Sequence, residues 1–179
     1  MIDATRARIV TSATDVFRAS GSSASLREVA RRAGVGIGTV YRHFPQRADL
    51  ISEVTRELFD SLSARAAELA GQGRPEDALF IWLDEFAATT SSMDGLAEAI
   101  VTARRNPDSA LFPHADGMIR AGESLLARAK SAGGIRDDID AVTLFALAGG
   151  IAWISRLASD IVPRERMFEL VRRSTVMPA

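Results

Sequence analysis

The stretch Ser25–Phe44, SLREVARRAGVGIGTVYRHF, decides the fold. Leu26, Val29, Ala30 and Ala33 recur at i, i+3, i+4 and i+7, one face of a short helix that ends near Gly34. Ser25 and Glu28 at its start have the S-x-x-E form of a capping box. Gly34 supplies the tolerance of positive φ that a tight turn needs, and small Ala30 stands where two helices would cross closely. Apolar anchors return at Val35 and Val40. The segment reads as a helix-turn-helix.

Its second helix is tested on a wheel of 3.6 residues per turn. Phe44 and Ile37 fall on the same side as Val40, and these three form the expected buried face. Gly38, Arg42 and Thr39 fall on the opposite side, with Tyr41 and His43 on the two edges. A helix enters a DNA major groove if its exposed face is slim, which Gly38 and Thr39 make it. Arg42 can donate to a guanine edge or a phosphate, and Tyr41 and His43 can reach the groove walls. Gly36 and Gly38 each cost about 1 kcal/mol of helix propensity, a loss that close approach to DNA explains.

Outward from this segment the chain reads as helix, about nine in all. Ile9, Val10, Ala13, Val16 and Phe17 mark one from about Ala4 to Ala19, with Asp3 as N-cap and Gly21 at its end. Leu50, Val54, Leu58, Leu62, Ala66 and Leu69 mark a long one from Gln46 to Ala70. Pro75 opens a fifth that carries Leu79, Phe80, Trp82, Leu83 and Phe86. A sixth is expected from about Asp94 to Arg105. Pro113 reads as an interruption, followed by a helix over Met118–Ala132. Asp140 caps an almost wholly apolar helix, Ala141–Ala158, and Pro163 starts the last, to about Thr175. The fold class is all-α, divided into a helix-turn-helix head at 1–46 and a larger helical body at 47–179.

The charge is unevenly spread. Residues 1–50 hold eight arginines against four acids, whereas the whole chain of 179 residues has a net charge of −1. A basic head on an acidic body suits a polyanionic partner. Cysteine is absent, which excludes disulfides, zinc-thiolate sites and cysteine nucleophiles. His43 and His114 are far apart, so no metal site is expected, and no cofactor. The triple glycine run at 34, 36 and 38 follows a helix instead of a strand, which argues against a dinucleotide loop. Asp84-Glu85 and Asp137-Asp138 are sequence neighbours and fit surface solvation or capping better than acid/base work. No serine sits in a G-x-S-x-G elbow, so catalysis has no candidate. The apolar run Val142–Leu157 falls short of the ~20 residues of a membrane span, so a cytoplasmic protein without a membrane partner is expected.

Val29 to Pro45, VARRAGVGIGTVYRHFP, followed by Arg47 and Leu50, resembles the DNA-binding domain of TetR-family transcriptional regulators. Gly36 stands where the family often has a serine, and Ile37 where it often has a lysine or polar residue. The resemblance implies a homodimer on a palindromic double-stranded operator, released when a small-molecule effector binds the C-terminal domain. It also implies DNA contacts from Ser25, Arg27, Gly38, Thr39, Tyr41, Arg42 and His43, and a phosphate contact from Arg47. A helix as apolar as Ala141–Ala158 must be covered on most sides. Leu144, Phe145, Ala148, Ile151 and Ala152, with Phe168 and Val171 of the last helix, are therefore candidates for a dimer interface. Phe80, Leu83, Phe86, Ile100, Met118, Leu125 and Trp153 are candidates for an effector pocket, with Arg104, Arg105 and His114 as polar groups that could orient a ligand. The rival reading is a helical small-molecule carrier or enzyme that retains a helix-turn-helix which no longer reads DNA.

Overall fold

A computed structural model of the chain describes residues 4–20, 24–93, 96–158 and 160–177. Among them run nine helices: α1 (Ala4–Ser20), α2 (Leu26–Ala33), α3 (Ile37–His43), α4 (Arg47–Ala70), α5 (Pro75–Ser91), α6 (Leu96–Arg105), α7 (Phe112–Ser131), α8 (Ala141–Ala158) and α9 (Arg164–Thr175). The caps expected at Asp3 and Gly21, and the start of the sixth helix at Asp94, lie outside the described residues. An isolated antiparallel bridge joins Ile135 to Val176 and ties the end of the chain to the α7–α8 connection.

Helix ends follow local chemistry, in places differently from expectation. Pro113 does not interrupt a helix: it occupies the first turn of α7, where its missing N–H is no loss, so α7 begins at Phe112. The Ser25–Glu28 capping box does not close. Ser25 Oγ accepts the Arg27 amide (3.2 Å), whereas the Glu28 carboxylate is taken by Arg31 and Arg32. Asp49 instead reaches back to the Gln46 amide (2.9 Å) at the head of α4. Asp140 accepts the Thr143 amide (2.8 Å) and caps α8.

One continuous apolar core runs from Ile9 to Phe168. Its head portion packs Ile9, Ala13 and Phe17 of α1 with Val29 and Ala33 of α2, Val40 of α3 and Leu50 and Val54 of α4. The long α4 packs on α1 at one end and on α5 and α7 beyond, so head and body share its apolar stripe. A second tie comes from Arg6, which pairs with Glu53 of α4 and lies 4.9 Å above the Phe44 ring. In the body, Trp82 of α5 is fully buried, donates its indole N–H to the Leu62 carbonyl (2.9 Å) and stacks on Phe86 (5.5 Å). Gly122 of α7 makes room for that ring: a Cβ there would lie 2.5 Å from Trp82.

α8 has the length and composition of a membrane span, with 18 residues and mean hydropathy 1.6. Its Leu144, Phe145, Ala148, Ile151 and Ala152 nevertheless face the chain's own core, against α5. Leu147, Ile154 and Leu157 point away from it.

Candidate nucleic-acid interface

α2 and α3 form a helix-turn-helix around Gly34, whose φ of +64° and ψ of +38° place it in the left-handed region. Its N–H donates back to the carbonyls of Ala30 and Arg31 and closes the end of α2. Arg8 of α1 adds a bond to the Ala33 carbonyl (2.6 Å). These contacts fix the angle at which α3 leaves the body of the head.

Val40 and Phe44 seat α3 on the core, while Gly38, Tyr41 and Arg42 are exposed and Thr39 and His43 half-buried. Ile37, expected on the buried face, is 36% exposed instead, because it begins the helix and no element covers it. Gly36 has an ordinary φ of −69°, and a Cβ on Gly36 or Gly38 would meet nothing within 4 Å. The fold itself therefore demands neither glycine. What their absence of side chain provides is a bare surface at the start of α3.

Beside that surface lies an open cleft of about 630 Å³, lined by Ser25, Leu26, Arg27, Ile37, Tyr41 and Arg47. It brings the start of α2, one edge of α3 and the start of α4 together. The first amides of α2 and the Ser25 hydroxyl suit an anion there. The arginines of the head divide by use. Arg6 and Arg8 are engaged in ties to α4 and α2, and Arg31 and Arg32 bind Glu28. Arg31 first of all holds the Glu28 carboxyl down to about 2, so it stays ionised and keeps those two guanidinium groups occupied. Arg27 and Arg42 make no side-chain hydrogen bond or ion pair among the described residues and point outward from the cleft and the reading face. Arg47 does two things: it donates to the Ala24 carbonyl and lies 5.4 Å from the Phe17 ring, while its side chain also lines the cleft. Its structural tie was not legible from the sequence.

The body residues are placed less simply. Leu83, Phe86, Met118 and Leu125 are core side chains, and the Trp82 ring sits among this group, against Phe86, Phe145 and Gly122. Ile100 is buried on α6, and Phe80 borders a surface cleft with Ile81, Phe168 and Arg172. Trp153 departs from the rest, being 62% exposed on the flank of α8. His114 is tied to Asp60 of α4 (2.6 Å), and Arg104 lines a cavity with Phe145. The interface candidates on α8 and Phe168 require correction. Leu144, Phe145, Ala148, Ile151, Ala152 and Phe168 are buried within the chain, and Val171 is half-buried. A helix apolar all round carries no phase in its sequence, so the choice of face fell to its neighbours.

Among known proteins, residues 74–173 match the family described as the C-terminal domain of SbtR-like transcriptional regulators. Residues 9–54 match the tetR family of bacterial regulatory proteins. The chain belongs to the TetR family of bacterial transcriptional regulators. A TetR regulator from Streptomyces coelicolor shares 31% identity and a TM-score of 0.78, over 97% of this chain and 99% of that one. Another from Mycobacterium vanbaalenii shares 29% and 0.70, over 97% and 95%. The repressor KstR of Mycolicibacterium smegmatis is 28% identical over 174 residues, 93% of this chain and 85% of that protein. As a TetR-family member the protein is a DNA-binding transcriptional regulator. The segment matched to the N-terminal family covers the bare face of α3 and the cleft beside it.

Proposed function

We propose that this TetR-family regulator is a ligand-responsive repressor that works as a cytoplasmic homodimer, without catalytic activity, whose two heads sit in successive major grooves of a palindromic operator. The observation that carries the DNA-reading half is the bare start of α3 flanked by the unpaired Arg42 and Arg27. Arg42 and Thr39 read base edges, and Gly38 lets the backbone of α3 come close to them. Tyr41 and His43 meet the groove walls, and Ser25, Arg27 and Arg47 hold phosphate. The head at 1–46 and the body at 47–179 are the functional division, with α4 common to both.

The twofold contact is the face of α8 that the chain leaves open. On the helical wheel Leu147, Gly150, Ile154 and Leu157 fall within about 80° of one another, and all four are exposed. Leu170, 63% exposed on α9, extends the stripe. Two copies pairing α8 and α9 across a twofold would bury it in a four-helix bundle. An effector bound in the body releases the operator by favouring a disposition of the two α4 helices that no longer matches the half-sites.

Fluorescence anisotropy with the DNA immediately upstream of the protein's own gene, at several salt concentrations and against unrelated DNA, tests the reading. Salt-sensitive binding that prefers the upstream fragment is expected. Equal, weak binding to that fragment, to unrelated DNA and to a selected pool of random duplexes would show that the head does not read sequence.

A further inference from the structure

We propose that Ile37 reads the C5-methyl group of a thymine in each operator half-site, a selectivity that the polar residues of α3 do not supply. This rests on the operator-reading function above and adds a residue to it. Ile37 is the first residue of α3, and a recognition helix meets base edges with its N-terminal residues. Gly36 and Gly38 on either side are exposed, and a Cβ on either would meet nothing within 4 Å. Across positions 36–38 the leading end of α3 therefore offers the groove a single side chain, and it is aliphatic. It neither donates nor accepts a hydrogen bond, so the donor and acceptor pattern of the base edges is closed to it. The group that a major groove does offer an aliphatic side chain is the thymine methyl, which the other three bases lack.

The head itself makes little use of this side chain. Val40 and Phe44 seal α3 onto the core at 0% and 2% exposed, whereas Ile37 is 36% exposed. Leu26, the other aliphatic residue lining the cleft beside α3, is packed against the core. Ile37 is left as the exposed one, at the point where α3 would enter the groove.

Its place on α3 fits the same target. On the helical wheel Ile37 lies within about 40° of Tyr41, on the edge toward the cleft that Ser25, Arg27 and Arg47 also line. Those three are the phosphate-holding residues, so this edge of α3 runs beside the backbone of one DNA strand. A thymine methyl projects into the major groove on the side of its own strand, within reach of that edge. Arg42 and Thr39 lie far round the wheel from Ile37 and are left to the hydrogen-bonding groups of the bases. Removing one methyl group from an apolar contact corresponds to about a fourfold change in affinity.

The test deletes that methyl from the DNA and the side chain from the protein. The full-length protein selects an operator from random duplexes, and each thymine is then replaced in turn by uracil, which lacks the methyl and keeps every hydrogen-bonding group. At one thymine per half-site, uracil should weaken binding by the parent about fourfold in fluorescence anisotropy. Ile37→Ala should melt as the parent does, bind the thymine operator at least fourfold more weakly, and show no preference between thymine and uracil at that position. With cytosine and 5-methylcytosine there, the methyl should again favour the parent about fourfold and the variant not at all. Parent binding indifferent to uracil at every thymine would overturn the proposal and leave the operator-reading function standing. So would a uracil effect that persists undiminished in Ile37→Ala. A selection that enriches no sequence would overturn both.

Discussion

Glu53 of α4 accepts hydrogen bonds from Arg6 of α1 and Arg56 one turn on, and so joins the head to the long helix. Replacing it by glutamine keeps the shape and removes the charge. The Arg6 guanidinium above all, then Arg56, holds the Glu53 carboxyl at about 2 against an ordinary 4.5. Fully expressed, that difference corresponds to about 3 kcal/mol. Glu53 is 12% exposed, but its partners are 39% and 37% exposed, so solvent screening reduces the contribution to about 1–1.5 kcal/mol. For a chain of this length Glu53→Gln should lower the melting temperature by about 3–5 °C at pH 7. Relief of Glu57, whose carboxyl is raised by burial and by the Glu53 charge, offsets a little of this. Because folding depresses the Glu53 carboxyl, its stabilisation is fully present above the unfolded value and is lost as the pH falls toward 2. For a contribution reduced to about 1–1.5 kcal/mol, about three-quarters of it should be gone at pH 3.5. Melting of parent and variant by circular dichroism at pH 7, 5 and 3.5 should therefore show a gap that narrows in acid. Equal melting at pH 7, or a gap of constant size down to pH 3.5, would refute the assignment.

Four further outcomes follow from the same geometry. Arg42→Ala should weaken operator binding by about 1–3 kcal/mol and relax base preference, read by anisotropy against single-base operator variants. Gly38→Leu should abolish operator binding while melting no lower than the parent, since its Cβ meets nothing in the chain. Gly122→Ala should cost about 1–3 kcal/mol by driving a methyl group into the Trp82 and Phe145 rings, seen as a lower melting temperature. Ile154→Glu should yield a folded monomer by analytical ultracentrifugation, whereas a substitution at buried Leu144 should instead impair folding.

The head was legible because its signals are local. Gly34 in the left-handed region, Ala30 at the crossing and Val40 and Phe44 beneath α3 depend on residues a few positions apart. The division of the arginines was not legible. Arg47 and Arg6 look alike with Arg27 and Arg42 in the sequence. Only the approach of Ala24, Phe17 and Glu53 sets the first two to structural ties and leaves the others outward. Pro113 was misread for a related reason, since a proline starts a helix as readily as it breaks one and the flanking turns decide.

By itself the sequence determined the order of helices, the helix-turn-helix and the charged, slim face of α3, because periodicity, capping and turn chemistry act over one or two turns. Tertiary structure alone decided which side of α8 enters the core. Its residues are apolar around the whole circumference, so transfer from water favours every rotation nearly equally, and contact with α5 breaks the tie.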